Sequence, residues 1–235
     1  MFFSLYSAES MYTYLIFVLP AAILAMWASA NVNSTYKKYS KVRASCGWTG
    51  FDAARRILDA NGLYNVTIER VAGNLTDHYD PKANVIRLSD AVYANNSAAA
   101  IGVAAHEAGH AVQHAVGYGP IKLRMALIPV CNIGSNLAMP LVFLGIIMGS
   151  YYLANIGIIA FGLAALFQLV TLPVEFNASG RALKALEGTG YMSDEDLKSS
   201  KKVLTAAALT YVAALAVALA NLLRLYVLVN GRRRD

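Results

Sequence analysis

Residues 125–174 read MALIPVCNIGSNLAMPLVFLGIIMGSYYLANIGIIAFGLAALFQLVTLPV, and no charged side chain interrupts the chain between Arg124 and Glu175. About 20 predominantly apolar residues cross the hydrocarbon of a bilayer. The stretch is therefore long enough for two spans, 125–149 and 152–174, joined at Ser150 and Tyr151. Runs 11–30 and 203–229 have the same character. The first could pass for a signal peptide, but only Glu9 is charged before it and the basic residues follow it, so it reads as a retained span. The expected fold is a mainly α membrane protein with about four transmembrane helices.

Composition agrees with that reading. The chain has 235 residues, 57% hydrophobic and 14% charged, against about 45–50% and about 25% in soluble domains. The net charge is +6, with Lys37, Lys38, Lys41 and Arg43 just after the first run and Arg232, Arg233 and Arg234 at the end. Basic clusters beside spans set orientation and attract anionic headgroups. No basic stripe with interleaved aromatics is present, which argues against a nucleic-acid partner and leaves the lipid bilayer as the expected one. Cys46 and Cys131 are too few for a disulfide framework.

The chain divides into an N-terminal region with the first span (1–30), a catalytic segment (31–122), spans two and three (123–174), a polar segment (175–202) and the fourth span with its basic tail (203–235). Within 31–122, Phe51, Ala54, Ile57 and Leu58 recur at helical spacing, and Asn61-Gly62 ends the pattern. Val66 and Ile68 alternate with Thr67 and Glu69 as in a short strand, Asp80-Pro81 marks a turn, and Val85 to Leu88 reads as a second strand. Asn95-Asn96-Ser97 offers an N-cap for an alanine-rich helix running to about Ala115. A small α+β segment is expected. Lysine and arginine placement puts it on the cytoplasmic side, with the uncharged Ser150–Tyr151 loop opposite. The terminal arginines break that pattern, so whether run 203–229 crosses completely is open.

The chemistry sits on the alanine-rich helix. His106-Glu107-Ala108-Gly109-His110 is an H-E-x-x-H sequence. Four residues advance about 400° around a helix, so both imidazoles emerge on one face, one turn apart. They can bind one Zn²⁺ at about 2.0–2.1 Å, while Glu107 beside them is placed as the general base for an attacking water. A catalytic zinc site takes a third protein ligand. Glu175 is the candidate, since Glu9 falls across the membrane in this topology and Glu187 and Glu195 lie in a polar stretch. The competing reading of Glu175 is an interfacial glutamate capping a short helix. His114 continues the histidine spacing, but stands about 12 Å of helix rise from His106, too far to share its ion readily. Nor does it match the metzincin spacing, which would put the third histidine at Val116; it reads as a supporting or surface residue. His78, expected on a loop, could bind substrate or simply be solvated. Arg181 could polarise a tetrahedral intermediate or bind lipid phosphate.

The chain resembles the YugP-like neutral zinc metallopeptidases of bacterial membranes over nearly its whole length. The resemblance rests on Leu75-Thr76-Asp77-His78-Tyr79-Asp80-Pro81, Ile86-Arg87-Leu88-Ser89, the stretch from His106 to His114, and Leu172-Pro173-Val174-Glu175-Phe176-Asn177-Ala178-Ser179. It is more distantly similar to the HtpX and CAAX-prenyl endopeptidases. The resemblance implies a gluzincin-like membrane protease with Glu175 as third ligand and the strand at Val85 to Leu88 lining the substrate cleft. HtpX-like enzymes carry an aspartate four residues after the ligand glutamate, which orients a zinc histidine. Here Ser179 stands at that position, and Asn177 stands where close relatives are expected to have aspartate. Ser179 accepts a hydrogen bond but brings no charge; metal affinity or base strength is expected to be lower, unless Asp77, Asp80 or Asp90 takes over.

The reading is thus a membrane-embedded zinc metalloprotease of the bacterial cell membrane, acting on membrane-associated proteins or peptides. The alternative is a catalytically weak or inactive metal-binding membrane adaptor, although a purely structural zinc site has no use for a base at Glu107.

Overall fold

A computed structural model describes residues 11–230; Glu9 and Arg232, Arg233 and Arg234 lie outside the described residues. Seven α-helices are described. They are α1 (Leu19–Tyr39), preceded by a π-helical stretch at Tyr14–Val18, α2 (Gly50–Ala60), α3 (Asp90–Tyr93), α4 (Ala98–Ala115), α5 (Gly119–Ile147), α6 (Tyr151–Gly188) and α7 (Asp194–Asn230). Three short strands lie between α2 and α3: β1 (Thr67–Val71), β2 (His78–Asp80) and β3 (Val85–Ser89). The protein is a mainly α membrane protein with a small sheet. Four helical segments are long and apolar enough to span a bilayer: Met11–Tyr39, Gly119–Ile147, Tyr151–Gly188 and Asp194–Asn230.

The last two measure 38 and 37 residues, or roughly 57 and 55 Å at about 1.5 Å per residue, nearly twice the hydrocarbon thickness of about 30 Å. The breaks placed at 174/175 and 202/203 fall inside continuous helices. Pro173 does not end α6, and Glu175 sits in mid-helix rather than at the cap of a short one.

The chain folds as two compact units. One comprises the chain up to Ala28, Leu123–Leu172 and Thr210 onward. Its buried residues are small or branched, with Val142, Ala154, Ile158, Leu225 and Val229 in one cluster. Ile133, Phe143 and Ile159 point outward and are exposed, as lipid-facing side chains are. A methyl group on Gly157 would lie 2.7 Å from the Ala138 carbonyl oxygen, so the absence of a side chain lets α5 and α6 approach backbone to backbone.

The other unit comprises Ser29–Lys122 and Pro173–Leu209. Its sheet has the order β1-β3-β2, with β1 parallel and β2 antiparallel to β3. Helix α2 begins with a capping box: the Thr49 hydroxyl accepts from the Asp52 N–H at 3.2 Å, and the Asp52 carboxylate accepts from the Thr49 N–H at 2.9 Å. It ends at Asn61 and Gly62, the latter in the left-handed region at φ 72°. Helix α4 starts where expected, its Ser97 hydroxyl accepting from the Ala100 N–H at 3.2 Å. The alanines of α4 serve more than propensity. Ala100, Ala104, Ala105 and Ala108 are fully buried against Ile57 and Leu58 of α2, Ile86 and Leu88 of β3, and Ala182 and Leu186 of α6. Alanine is short enough for α4 to be enclosed on several sides.

One sequence expectation changes here. Residue His78 opens strand β2 rather than lying on a loop. Strand β3 is the central strand, with Val85 to Arg87 paired on both sides and Val85, Ile86 and Leu88 buried. Both β3 and the edge strand β2 pack on α4.

Candidate metal centre

His106 and His110 leave α4 one turn apart, as their spacing requires, with ring centroids 4.6 Å apart and planes at 82°. Glu175 enters from α6. Its Oε2 atom stands 3.2 Å from His106 Nε2 and 3.4 Å from His110 Nε2. Two donors about 2.0–2.1 Å from one ion at a tetrahedral angle lie about 3.3 Å apart, so these separations suit a shared metal. The three side chains form a group able to hold a metal ion. Helix approach is what permits this. A methyl group on Gly109 would lie 2.6 Å from the Ala178 carbonyl oxygen of α6, so glycine at 109 brings α4 close enough for Glu175 to reach the imidazoles.

The surrounding hydrogen bonds fix how the donors point. Gln113 is fully buried. Its Nε2 donates to the Val174 carbonyl at 2.8 Å and to Asn177 Oδ1 at 2.9 Å. Both amide protons are thus used, and Oε1, 3.0 Å from His110 Nδ1, must accept. His110 therefore carries a proton on Nδ1, and its Nε2 faces Glu175 either as an N–H donor of the imidazolium or, with a metal cation bound, as a lone pair. Burial pushes the His110 pKa down, but hydrogen bonding to Glu175 and the charges of Glu107 and Glu175 outweigh it, leaving the pKa above its ordinary value. The donor set wants positive charge, and a divalent ion supplies it.

On the other imidazole, His106 Nδ1 lies 3.1 Å from Ser179 Oγ. Serine fills the place of the aspartate in HtpX-like enzymes. None of the three aspartates considered as substitutes reaches a histidine of the cluster. Asp77 binds the Ser89 N–H at 2.7 Å, Asp80 pairs with Arg87 at 3.1 Å, and Asp90 lies 4.0 Å from Arg70. Both imidazoles are held by uncharged partners.

Glu107 is buried, at 8% exposure, and close enough for its charge to act on His110. Among the described residues its carboxylate accepts no hydrogen bond and forms no ion pair. Asn177 and Arg181 stand behind the ligands: Arg181 Nε donates to Asn177 Oδ1 at 2.8 Å, and its guanidinium lies 5.9 Å from the centroid of the Tyr118 ring. A chain of contacts thus runs from Arg181 through Asn177 and Gln113 to His110. Arg181 is engaged there with Asn177 and Tyr118.

The remaining histidines stay outside the metal-capable group. His114 is exposed, 6.1 Å from the Tyr79 ring. His78 is exposed too, its Nδ1 2.8 Å from the Thr76 carbonyl and its Nε2 3.5 Å from Arg87. The residue that sequence reasoning missed is Gln113. Its signal was available, three residues after His110 and on the same helix face.

Fold and site together give a mainly α membrane protein with a His-His-Glu cluster able to hold a metal ion and a carboxylate beside it. The chain belongs to the family described as "Putative neutral zinc metallopeptidase", whose model matches residues 14–230. It is 52% identical over 220 residues to the "Putative membrane protease YugP" of Bacillus subtilis (strain 168), covering 92% of this chain and 97% of that protein. No solved structure matches the chain.

Proposed function

We propose that the protein is a zinc-dependent endopeptidase that hydrolyses peptide bonds of membrane-associated proteins or peptides, with its catalytic unit on the cytoplasmic side of the bacterial cell membrane. The carrying observation is that Glu175 Oε2 stands 3.2 Å from His106 Nε2 and 3.4 Å from His110 Nε2, in a group whose ligand atoms lie within 4.8 Å of one another, with Glu107 unpaired beside them among the described residues. Zinc held by His106, His110 and Glu175 would supply a Lewis acid for the peptide carbonyl and would lower the pKa of water toward neutrality. Glu107 takes the proton of the attacking water and returns it to the leaving amine. Gln113 and Ser179 hold the two imidazoles in the tautomer that presents Nε2, with Asn177 and Arg181 steadying Gln113. The basic residues Lys37, Lys38, Lys41 and Arg43 after the first span support the cytoplasmic placement.

The test pairs metal analysis with cleavage of a membrane-anchored peptide. Glu107→Gln should keep one zinc per chain and lose cleavage by at least about 100-fold, the scale of a lost general base. Glu175→Ala should lose the zinc. A wild-type chain that holds zinc and cleaves no peptide, soluble or anchored, would move the protein to the adaptor class.

A further inference from the structure

Away from the metal centre, α1 and the start of α7 enclose a groove of about 550 Å³. Its polar end is basic: Lys38 from α1 and Lys198, Lys201 and Lys202 from α7 line it, and no acidic side chain does. All four lysines are exposed, and among the described residues none joins an ion pair. Lys38 and Lys202 both approach the Tyr39 ring, at 5.5 and 5.8 Å from its centroid. Tyr39 itself is buried, so the lysines stand around a fixed aromatic post.

The lining changes character along the groove. On α7 it passes from the lysines through Thr205 to Ala206 and Leu209, while α1 contributes Thr35 and Asn31. The chain's apolar runs change near this level: the first ends just before Asn31 and the last begins just after Lys202. By run length the basic end is the one nearer the membrane surface. Four ammonium groups gathered in one groove, with no ion-pair partner among the described residues, favour an anion. Lysine is a point-charge partner for phosphate, and the graded lining offers an acyl chain a surface next to it.

We infer that this groove is a binding site for an acidic glycerophospholipid, with the headgroup phosphate among Lys38, Lys198, Lys201 and Lys202 and an acyl chain along Ala206 and Leu209. The inference does not depend on the peptidase reading. A site for a free phosphate would share the lysines but make no use of the apolar end.

The test uses the full chain in uncharged detergent, with native mass spectrometry as the readout of bound lipid. Phosphatidylglycerol should bind at least tenfold more tightly than phosphatidylcholine of the same acyl chains. Soluble glycerol 3-phosphate at the same headgroup concentration should displace little of it. The triple variant Lys198→Gln, Lys201→Gln, Lys202→Gln should lose the preference, while Lys122→Gln with Lys184→Gln, outside the groove, should keep it. Equal binding of the two lipids by the wild type overturns the proposal without recourse to any variant. Full displacement by glycerol 3-phosphate would make the groove a free-anion site, and a preference surviving in the triple variant would place the lipid elsewhere.

Discussion

Gln113 Oε1 lies 3.0 Å from His110 Nδ1, one turn further along the same helix. Because both amide protons of Gln113 are committed to Val174 and Asn177, this contact allows only one tautomer of His110. Removing it frees the ring to rotate and to exchange its proton between nitrogens. Gln113→Ala should therefore weaken zinc binding by about 10–100-fold, the usual scale for such outer partners. Competition against a chelator of known affinity reads this directly. Unchanged affinity in a folded variant would show that packing alone orients the imidazole.

Ser179 gives a test with two directions. Its hydroxyl meets His106 Nδ1 at 3.1 Å without bringing charge. A carboxylate in that place makes a charge-assisted hydrogen bond and raises the basicity of the ligating nitrogen. Ser179→Asp should bind zinc more tightly than the wild type, and Ser179→Ala less tightly, by about tenfold or more. The order of the three affinities is the prediction. An alanine variant equal to the wild type would remove Ser179 from the support of the site.

Helix approach can be tested apart from ligand chemistry. Gly109→Ala places a methyl group 2.6 Å from the Ala178 carbonyl oxygen, a backbone atom that cannot turn aside. The helices must separate, and overpacking of this kind costs about 1–3 kcal/mol. Because α6 carries Glu175, the variant should lose zinc as well as stability. Gly180→Ala is the matched control, since a methyl group there meets nothing within 4 Å. Zinc retained in Gly109→Ala to the same extent as in Gly180→Ala would mean that the site tolerates a wider helix spacing.

The parts of this protein that follow from local pattern are legible in the sequence, and those set by long-range contact are not. Apolar run length locates all four spanning segments. Ser97 and the alanines after it mark α4, and the spacing of His106 and His110 puts both imidazoles on one face. Pro173 misleads, because proline ordinarily interrupts the helix ladder, yet α6 runs through it from Tyr151 to Gly188. Strand β3 is legible but its central position is not, since pairing order depends on contacts that no single strand's pattern encodes. The spacing of Gln113 puts it on the face of His110, but which way its amide points is set only by Val174 and Asn177, which arrive from another helix.

The capping box of α2 couples the stability of the unit that holds the His-His-Glu cluster to pH. Asp52 accepts from the Thr49 hydroxyl at 2.7 Å and from the Thr49 N–H at 2.9 Å. The hydroxyl bond leads in holding its carboxyl below the usual aspartate range, against partial burial, with the N–H bond and Arg56 assisting. A folded-state pKa below the unfolded one means stability that is present above the unfolded pKa, about 3.9, and is lost as pH falls through the folded value. Asp52→Ala should cost about 0.5–1.5 kcal/mol near neutrality, the net worth of a hydrogen bond, because it removes the acceptor for the Thr49 N–H. The gap between variant and wild type should then shrink as the pH is lowered from about 6 toward about 3, across the unfolded aspartate pKa. Thermal unfolding of both proteins in detergent across that range measures it. A gap that stays constant with pH would mean that the cap acts through its shape and not its charge.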